Sequence, residues 1–300
     1  MDIGTLARRW ELQSANAILS FASVMVIDAH HHFWMYDPAQ YGWISEGMAV
    51  LKRDYLPGDL RQATAAAGVD GVVSVQARQT IEETEWLLDL ADRHEFIRGV
   101  VGWVPLASER VREDLERLAE RPKLRAVRHV LQDEPDDNYV LRDDFNRGIR
   151  QLKDFGLRYD ILVFERHLPQ TIRFVDRHPE QIFVLDHLAK PRIRDHVISP
   201  WRENLRELAR RPNVWCKLSG LVTEADHQSW TEKQLRPYMD VALDAFGPTR
   251  LMFGSDWPVC LLACGYQRWY QIVREFASRL SPDEHDCLFG KTAVDAYDLR

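Results

Sequence analysis

The sequence is poor in cysteine. Its 300 residues hold four (Cys216, Cys260, Cys264 and Cys287), too few and too unevenly spaced for the disulfide framework of a secreted scaffold. A reducing compartment, the cytoplasm, follows as the expected location. Cys260 and Cys264 frame three apolar residues, but no second Cys/His pair accompanies them, so a structural zinc knot is not expected there. There is no excess of basic charge either: 39 Lys and Arg against 46 Asp and Glu leave a net charge of −7. Nucleic acid and anionic membrane both require a basic face, so neither is expected as a partner, and a small-molecule substrate is. A long apolar run is also missing. Ala17-Ile18-Leu19 is interrupted on both sides by Asn16 and Ser20 and does not make the hydrophobic segment of a signal peptide. No stretch rich in Gly, Pro or Ser divides the chain, so one domain is expected despite the length. Assembly into a homo-oligomer is compatible with this composition.

What is present is an ordinary globular balance of 45% apolar and 28% charged residues, enough to build a full core. Short β-branched runs alternate with longer amphipathic segments from residue 24 onward, the pattern of repeated βα units. Eight strands are expected, at 24–29, 71–76, 97–103, 124–129, 157–163, 181–186, 213–218 and 250–255. Between them, 108–121 places Val111, Leu115 and Leu118 on one helical face. Thr80 with Glu83 and Ser281 with Glu284 have capping-box spacing, and Gly68, Gly156 and Gly247 stand where helices should stop. Eight units fit a single α/β (β/α)8 TIM barrel, although an open, doubly wound sheet has the same pattern. Met25 opens Met-Val-Ile-Asp-Ala-His, which reads as a natural start, so residues 1–24 are expected to be a dispensable extension and 25–300 the barrel.

In such a barrel, chemistry belongs to the C-terminal ends of the strands. The first strand ends Asp28-Ala29-His30-His31-His32, with His30 and His32 two apart and directed to one side. Two converging imidazoles suit a divalent metal or two donors aimed at one oxygen. The sixth strand ends in Asp186-His187. The eighth runs Gly254-Ser255-Asp256-Trp257-Pro258 and offers a carboxylate, which can bind a metal, take a proton from water, or cap the next helix.

These motifs resemble the amidohydrolase superfamily of metal-dependent hydrolases, and within it the sugar-lactone hydrolases acting on L-fucono- and L-rhamnono-lactones. The resemblance extends from Val26 to Tyr297 and rests on long segments: IDAHHHFW from Ile27, YDILVFE from Tyr159, CKLSGLVTEAD from Cys216 and RLMFGSDWPVCLL from Arg250. It implies a metal on His30, His32 and Asp256, with His187 from the sixth strand catalytic beside Asp256. The chain departs from the family at the fifth strand, which offers no histidine at its end; His167 comes only in the following turn. A binuclear centre is therefore not expected. One zinc ion, or a metal-free site in which the histidines polarise the carbonyl, are the two remaining expectations.

A lactone is a cyclic ester, so its opening needs a base for water and donors for the oxyanion. Asp256 is the expected base, with His30, His32 and His187 as donors. Gln76, Arg78, Trp103, Arg128, His129, Tyr159, Lys217 and Trp257 are the expected substrate-binding residues. Ser219 is not an expected nucleophile, because it lacks the Gly-x-Ser-x-Gly turn. The rival readings are a hydrolase of an anionic lactone of the muconolactone or pyrone-dicarboxylate type, a decarboxylase on the same barrel, and a sugar-acid binder without catalysis.

Overall fold

The computed structural model describes residues 25–299, so the expected extension at 1–24 lies outside the described residues. Eight parallel strands follow one another around the sheet in chain order: β1 Ile27–His31, β2 Gly71–Val75, β3 Ile97–Gly102, β4 Leu124–Val130, β5 Arg158–Leu162, β6 Phe183–Leu185, β7 Val214–Leu218 and β8 Leu251–Phe253. All eight expected strands are present, most of them shorter than expected by one to three residues. The helices are α1 Pro57–Thr64, α2 Ile81–Arg93, α3 Val111–Ala119, α4 Asp143–Leu152, α5 Leu168–Asp176, α6 Trp201–Ala209, α7 Glu232–Phe246, α8 Tyr266–Ala277, α9 Pro282–Asp286 and α10 Thr292–Tyr297. This is a (β/α)8 barrel, and the doubly wound alternative is excluded by the strand order, which never reverses.

Local chemistry explains the boundaries. Thr80 and Ser281 cap α2 and α9 by accepting from the backbone N–H of Glu83 and Glu284. Gly156 follows the turn after α4 with φ +66°, a conformation that costs other residues a clash of Cβ with backbone.

Two apolar regions follow from strand periodicity. The larger one fills the space between the sheet and its helices. The smaller one, including Ile27, Ala29, Val73, Val75, Val101, Ala126 and Met252, lies inside the barrel and is closed at the bottom by Ala293, Ala296 and Tyr297 of α10.

The barrel closes without a regular ladder between β8 and β1. Its closure runs through the segment beyond β8, where Asp256 N–H donates to His30 O at 2.8 Å and His32 N–H to Trp257 O at 2.7 Å. A register shift lies between Asp28 and His31, the mark of a β-bulge. Asp28 pins it: its Oδ1 accepts from His30 N–H at 3.2 Å and Ser255 N–H at 2.8 Å. Ile27 and Ala29 point into the barrel, so strict alternation would turn His30 outward; the bulge turns it back in.

Candidate active site

Asp256 lies at the centre of three imidazoles. Its Oδ1 is 3.5 Å from His32 Nε2, 3.8 Å from His30 Nε2 and 3.8 Å from His187 Nε2. His30, His187 and Asp256 each offer a ligand atom within 4.8 Å of the others. The expected trio of His30, His32 and Asp256 converges as closely, with His32 Nε2 3.2 Å from His30 Nε2 and 3.5 Å from Asp256 Oδ1, so His187 joins it as a fourth candidate ligand. Burial drives the His187 imidazole down to about 4 and the His30 imidazole well below its ordinary range, the latter helped by the Lys217 ammonium. Both are neutral near pH 7. Burial pushes the Asp256 carboxyl up, but His187, His32 and Lys190 outweigh it and hold Asp256 below the usual carboxylate range. The site therefore presents a carboxylate beside two neutral imidazoles, His30 and His187.

The backbone beneath these groups is strained. Asp256 has φ +57°, and His187, Leu188, Ala189 and Lys190 form a run at +52°, +55°, +58° and +49°. Left-handed conformations of non-glycine residues cost about 1 kcal/mol or more each and persist where packing over-determines them, typically at functional sites. Gly220, at φ +69°, lies under His187, and a Cβ there would come within 2.6 Å of His187 Nδ1. That nitrogen instead meets Ser219 Oγ at 2.8 Å. Ser219 is fully buried and does not line the cavity, so it orients the imidazole and cannot act as a nucleophile.

A sealed layer of charge lies below. Lys217 Nζ is 2.6 Å from Asp160 Oδ2, 2.9 Å from Asp186 Oδ1 and 3.1 Å from His30 Nδ1, and Lys217, Asp160, Asp186 and His30 all have zero exposure. Arg128 Nη1 donates to Asp186 Oδ2 at 2.9 Å, and Tyr297 OH to Asp160 Oδ2 at 2.7 Å. Burial pushes Asp160 up to about 6 against the pull of Lys217. Burial acts on Asp186 too, yet Lys217, His30 and Arg128 hold it well below the carboxylate range.

Above Asp256 opens a cavity of about 690 Å³, lined among others by His32, Gln76, Arg78, Arg128, His187 and Asp256. Of the expected substrate-binding residues, Gln76, Arg78 and Arg128 line it; Trp103, His129, Tyr159, Lys217 and Trp257 do not. The reasons are physical. Tyr159 faces out of the barrel onto Phe145, Phe174 and Phe183, because its neighbour Asp160 faces in. His129 likewise stacks on Tyr139 and pairs with Glu134 at 2.6 Å, and Trp103 Nε1 donates to it. Trp257 packs edge-on against Tyr55 and Phe33, and Lys217 belongs to the sealed layer. His167 is remote, bound to Asp137 at 2.7 Å.

The cavity also draws on residues that strand-end reasoning passed over: Trp43 and Gln40 from the long loop after β1, Gln132 after β4, Lys190 after β6 and Glu224 after β7. Lys190 Nζ lies 3.9 Å from Glu224 Oε1. In the long loop, Trp34 and Tyr41 are buried and pin the segment, while Trp43 is 39% exposed and lines the cavity. Strand alternation would have flagged Asp160 and Asp186, but nothing local marks a loop residue such as Glu224.

The chain belongs to the amidohydrolase family, whose model matches residues 27–299. Within that family it is 46% identical over 286 residues to the L-fucono-1,5-lactonase of Burkholderia multivorans, covering 91% of this chain and 96% of the relative. It is 39% identical to the L-fucono-1,5-lactonase of Burkholderia ambifaria over 90% of this chain and 94% of the relative. A crystal structure of an amidohydrolase from Burkholderia multivorans with bound zinc superposes with a TM-score of 0.88 at 46% identity, over 92% of this chain and 100% of that one.

Proposed function

We propose that this chain hydrolyses a sugar-acid lactone, L-fucono-1,5-lactone foremost, to the open aldonic acid. The observation that carries the reading is the Asp256 carboxylate ringed by three imidazoles at the bottom of a cavity rich in uncharged hydrogen-bonding groups. The two curated lactonases at 46% and 39% identity support the substrate class. Asp256 accepts the proton of the attacking water, and His30 and His187 donate to the carbonyl oxygen as it gains charge in the tetrahedral intermediate. Asp256 then returns the proton to the departing ring oxygen. Gln76, Arg78, Gln132 and Glu224 meet the sugar hydroxyls, and Trp43 offers an apolar face. The four cysteines are free, consistent with a cytoplasmic enzyme.

The donor set also fits one zinc ion. Two imidazoles and a carboxylate converge, and His32 keeps a bare Nε2 because its Nδ1 faces the Val75 carbonyl at 2.8 Å. His30, His187 and Asp256 would hold the ion, with His32 adjacent. Bound there, zinc supplies polarisation of the lactone carbonyl and a lower pKa for water.

The anionic-lactone reading finds less support. Arg78 is engaged by Glu83 and Gln40, and Arg128 by Asp186 and Gln76, while Arg166 pairs with Asp137 away from the cavity. The cavity arginines thus already have partners and are poorly placed to clamp a dicarboxylate. Ring opening of L-fucono-, L-galactono- and L-rhamnono-lactones, measured beside a muconolactone-type acid and a pyrone dicarboxylate, tests the reading. The expected result is the highest kcat/KM on L-fucono-1,5-lactone; no turnover of any sugar lactone defeats it.

A further inference from the structure

Thr80 and Glu83 have capping-box spacing, and one half of the box forms: Thr80 Oγ1 accepts from Glu83 N–H at 3.1 Å. The Glu83 carboxylate, which would complete the box at Thr80 N–H, reaches instead past the start of α2. Its Oε2 accepts from Ala77 N–H at 3.0 Å and from Arg78 N–H at 2.6 Å. Its Oε1 accepts from Tyr41 OH at 3.4 Å and lies 3.8 Å from Arg78 Nε. Glu83 has zero exposure and does not line the cavity. What it holds does: the whole loop after β2, residues 76–80, lines the cavity, as do Gln40 and Trp43 on either side of Tyr41. Arg78 bridges the same two loops, its guanidinium donating to Gln40 Oε1 and lying 5.2 Å from the centre of the Tyr41 ring. Two loops from different strands therefore meet on one buried carboxylate. Burial pushes that carboxyl up to about 7, against the pull of the Arg78 and Ala77 N–H groups and the Arg78 and Arg128 guanidiniums. An acid raised on folding lowers stability as pH climbs from the usual carboxylate range to about 7, so the ionised group is held at a cost to the fold.

We propose that Glu83 is a positioning residue whose two carboxyl oxygens fasten the loop after β2 and the long loop after β1 into one wall of the cavity, setting how tightly substrate binds without touching it. The proposal rests on the lactonase reading for the identity of the substrate. Oε2 fixes the backbone from which Arg78 projects into the cavity. Oε1 holds Tyr41, and with it the stretch that carries Gln40 and Trp43. None of the Glu83 bonds goes to Asp256 or to the imidazoles around it, so its effect falls on KM and not on kcat.

The test compares Glu83→Leu, which has no acceptor, with Glu83→Gln, which keeps one oxygen for the Ala77 and Arg78 N–H groups. Glu83→Leu should raise KM for L-fucono-1,5-lactone about 10-fold or more and leave kcat within about twofold. Glu83→Gln should bring KM back to within about threefold of wild type. Thr84→Val is the control for a loosened helix. Thr84 Oγ1 joins α2 to Trp103, accepting from its N–H at 2.8 Å and donating to its carbonyl at 2.9 Å, so its loss should lower the thermal midpoint and leave KM unchanged. Hydrogen exchange on the full chain without substrate, read by mass spectrometry, reports on the wall itself. Exchange at 77–79 and 40–43 should quicken in Glu83→Leu and stay as in wild type in Glu83→Gln and Thr84→Val. Tyr41→Phe removes only the bond to Oε1 and carries the test if Glu83→Leu does not fold: KM should rise about threefold, with faster exchange at 40–43 alone. Wild-type KM and exchange in folded Glu83→Leu, or in Tyr41→Phe, overturn the proposal. So does a KM raised equally by Thr84→Val, or a Glu83→Gln that binds as poorly as Glu83→Leu. Lactone turnover is read separately on the wild type. A protein that opens no lactone yet shows these exchange changes loses the functional reading alone, and a lactonase whose KM and exchange ignore Glu83 loses only this inference.

Discussion

Asp256 and Asp186 are the same residue type on opposite sides of one imidazole. Asp256 lies 3.8 Å from His30 Nε2 and faces the cavity; Asp186 lies 3.3 Å from His30 Nδ1 and is sealed beneath it. Both are held below the usual carboxylate range against the cost of burial, Asp256 chiefly by His187 and Asp186 chiefly by Lys217. The difference lies in the partners. The His30 and His187 imidazoles beside Asp256 are lowered by burial and leave its oxygen able to take a proton, whereas Lys217 and Arg128 both pair with Asp186. One aspartate is available for chemistry and the other holds the floor together.

Three substitutions probe that contrast. The largest effect is expected from Asp256→Asn, which keeps shape and removes the base: kcat/KM on the lactone should fall by about 10²- to 10⁴-fold, with the thermal midpoint nearly unchanged. Asp186→Asn makes the same exchange on the sealed side and should act mainly on stability. It leaves Lys217 and Arg128 short of an anion, a loss of about 3–5 kcal/mol in chemical denaturation. If instead Asp186→Asn abolished turnover in a protein of wild-type stability, the division between the two sides would collapse. The smallest effect belongs to Tyr159→Phe. The Tyr159 hydroxyl is buried among rings without a hydrogen-bond partner, so its removal should leave KM unaltered and stability equal or slightly higher. A raised KM would return Tyr159 to the cavity.

The barrel was legible from eight β-branched runs, and the strand-end rule brought His30, His32, His187 and Asp256 together. Errors arose where neighbouring residues were judged by type instead of by side. Arg128-His129 and Tyr159-Asp160 are pairs in which strand alternation sends only one member inward: Arg128 and Asp160. His30 escaped that error for a reason not visible in the pattern. The bulge at Asp28–His31 reverses the alternation, and its pin, the Asp28 side chain reaching Ser255, is a contact between residues 227 apart in sequence. Glu224 and Lys190 were missed because loops carry no period. Lys217 was expected to bind substrate; it does face inward, but depth within a barrel is not written in alternation, and it lies a layer below the cavity.

The junction between the first and last strands carries a further consequence. Elsewhere neighbouring strands share a ladder, but here the barrel is fastened by the backbone of residues to which the chemistry is assigned in the proposed reaction, Asp256 bonding to His30 and His32 to Trp257. The proposed base cannot part from its imidazoles unless the cylinder opens, and the cylinder cannot open there with Asp256 in place. Turnover is therefore a gauge of closure. In a denaturant titration it reports the integrity of this one junction, and it should disappear no later than the helices unfold.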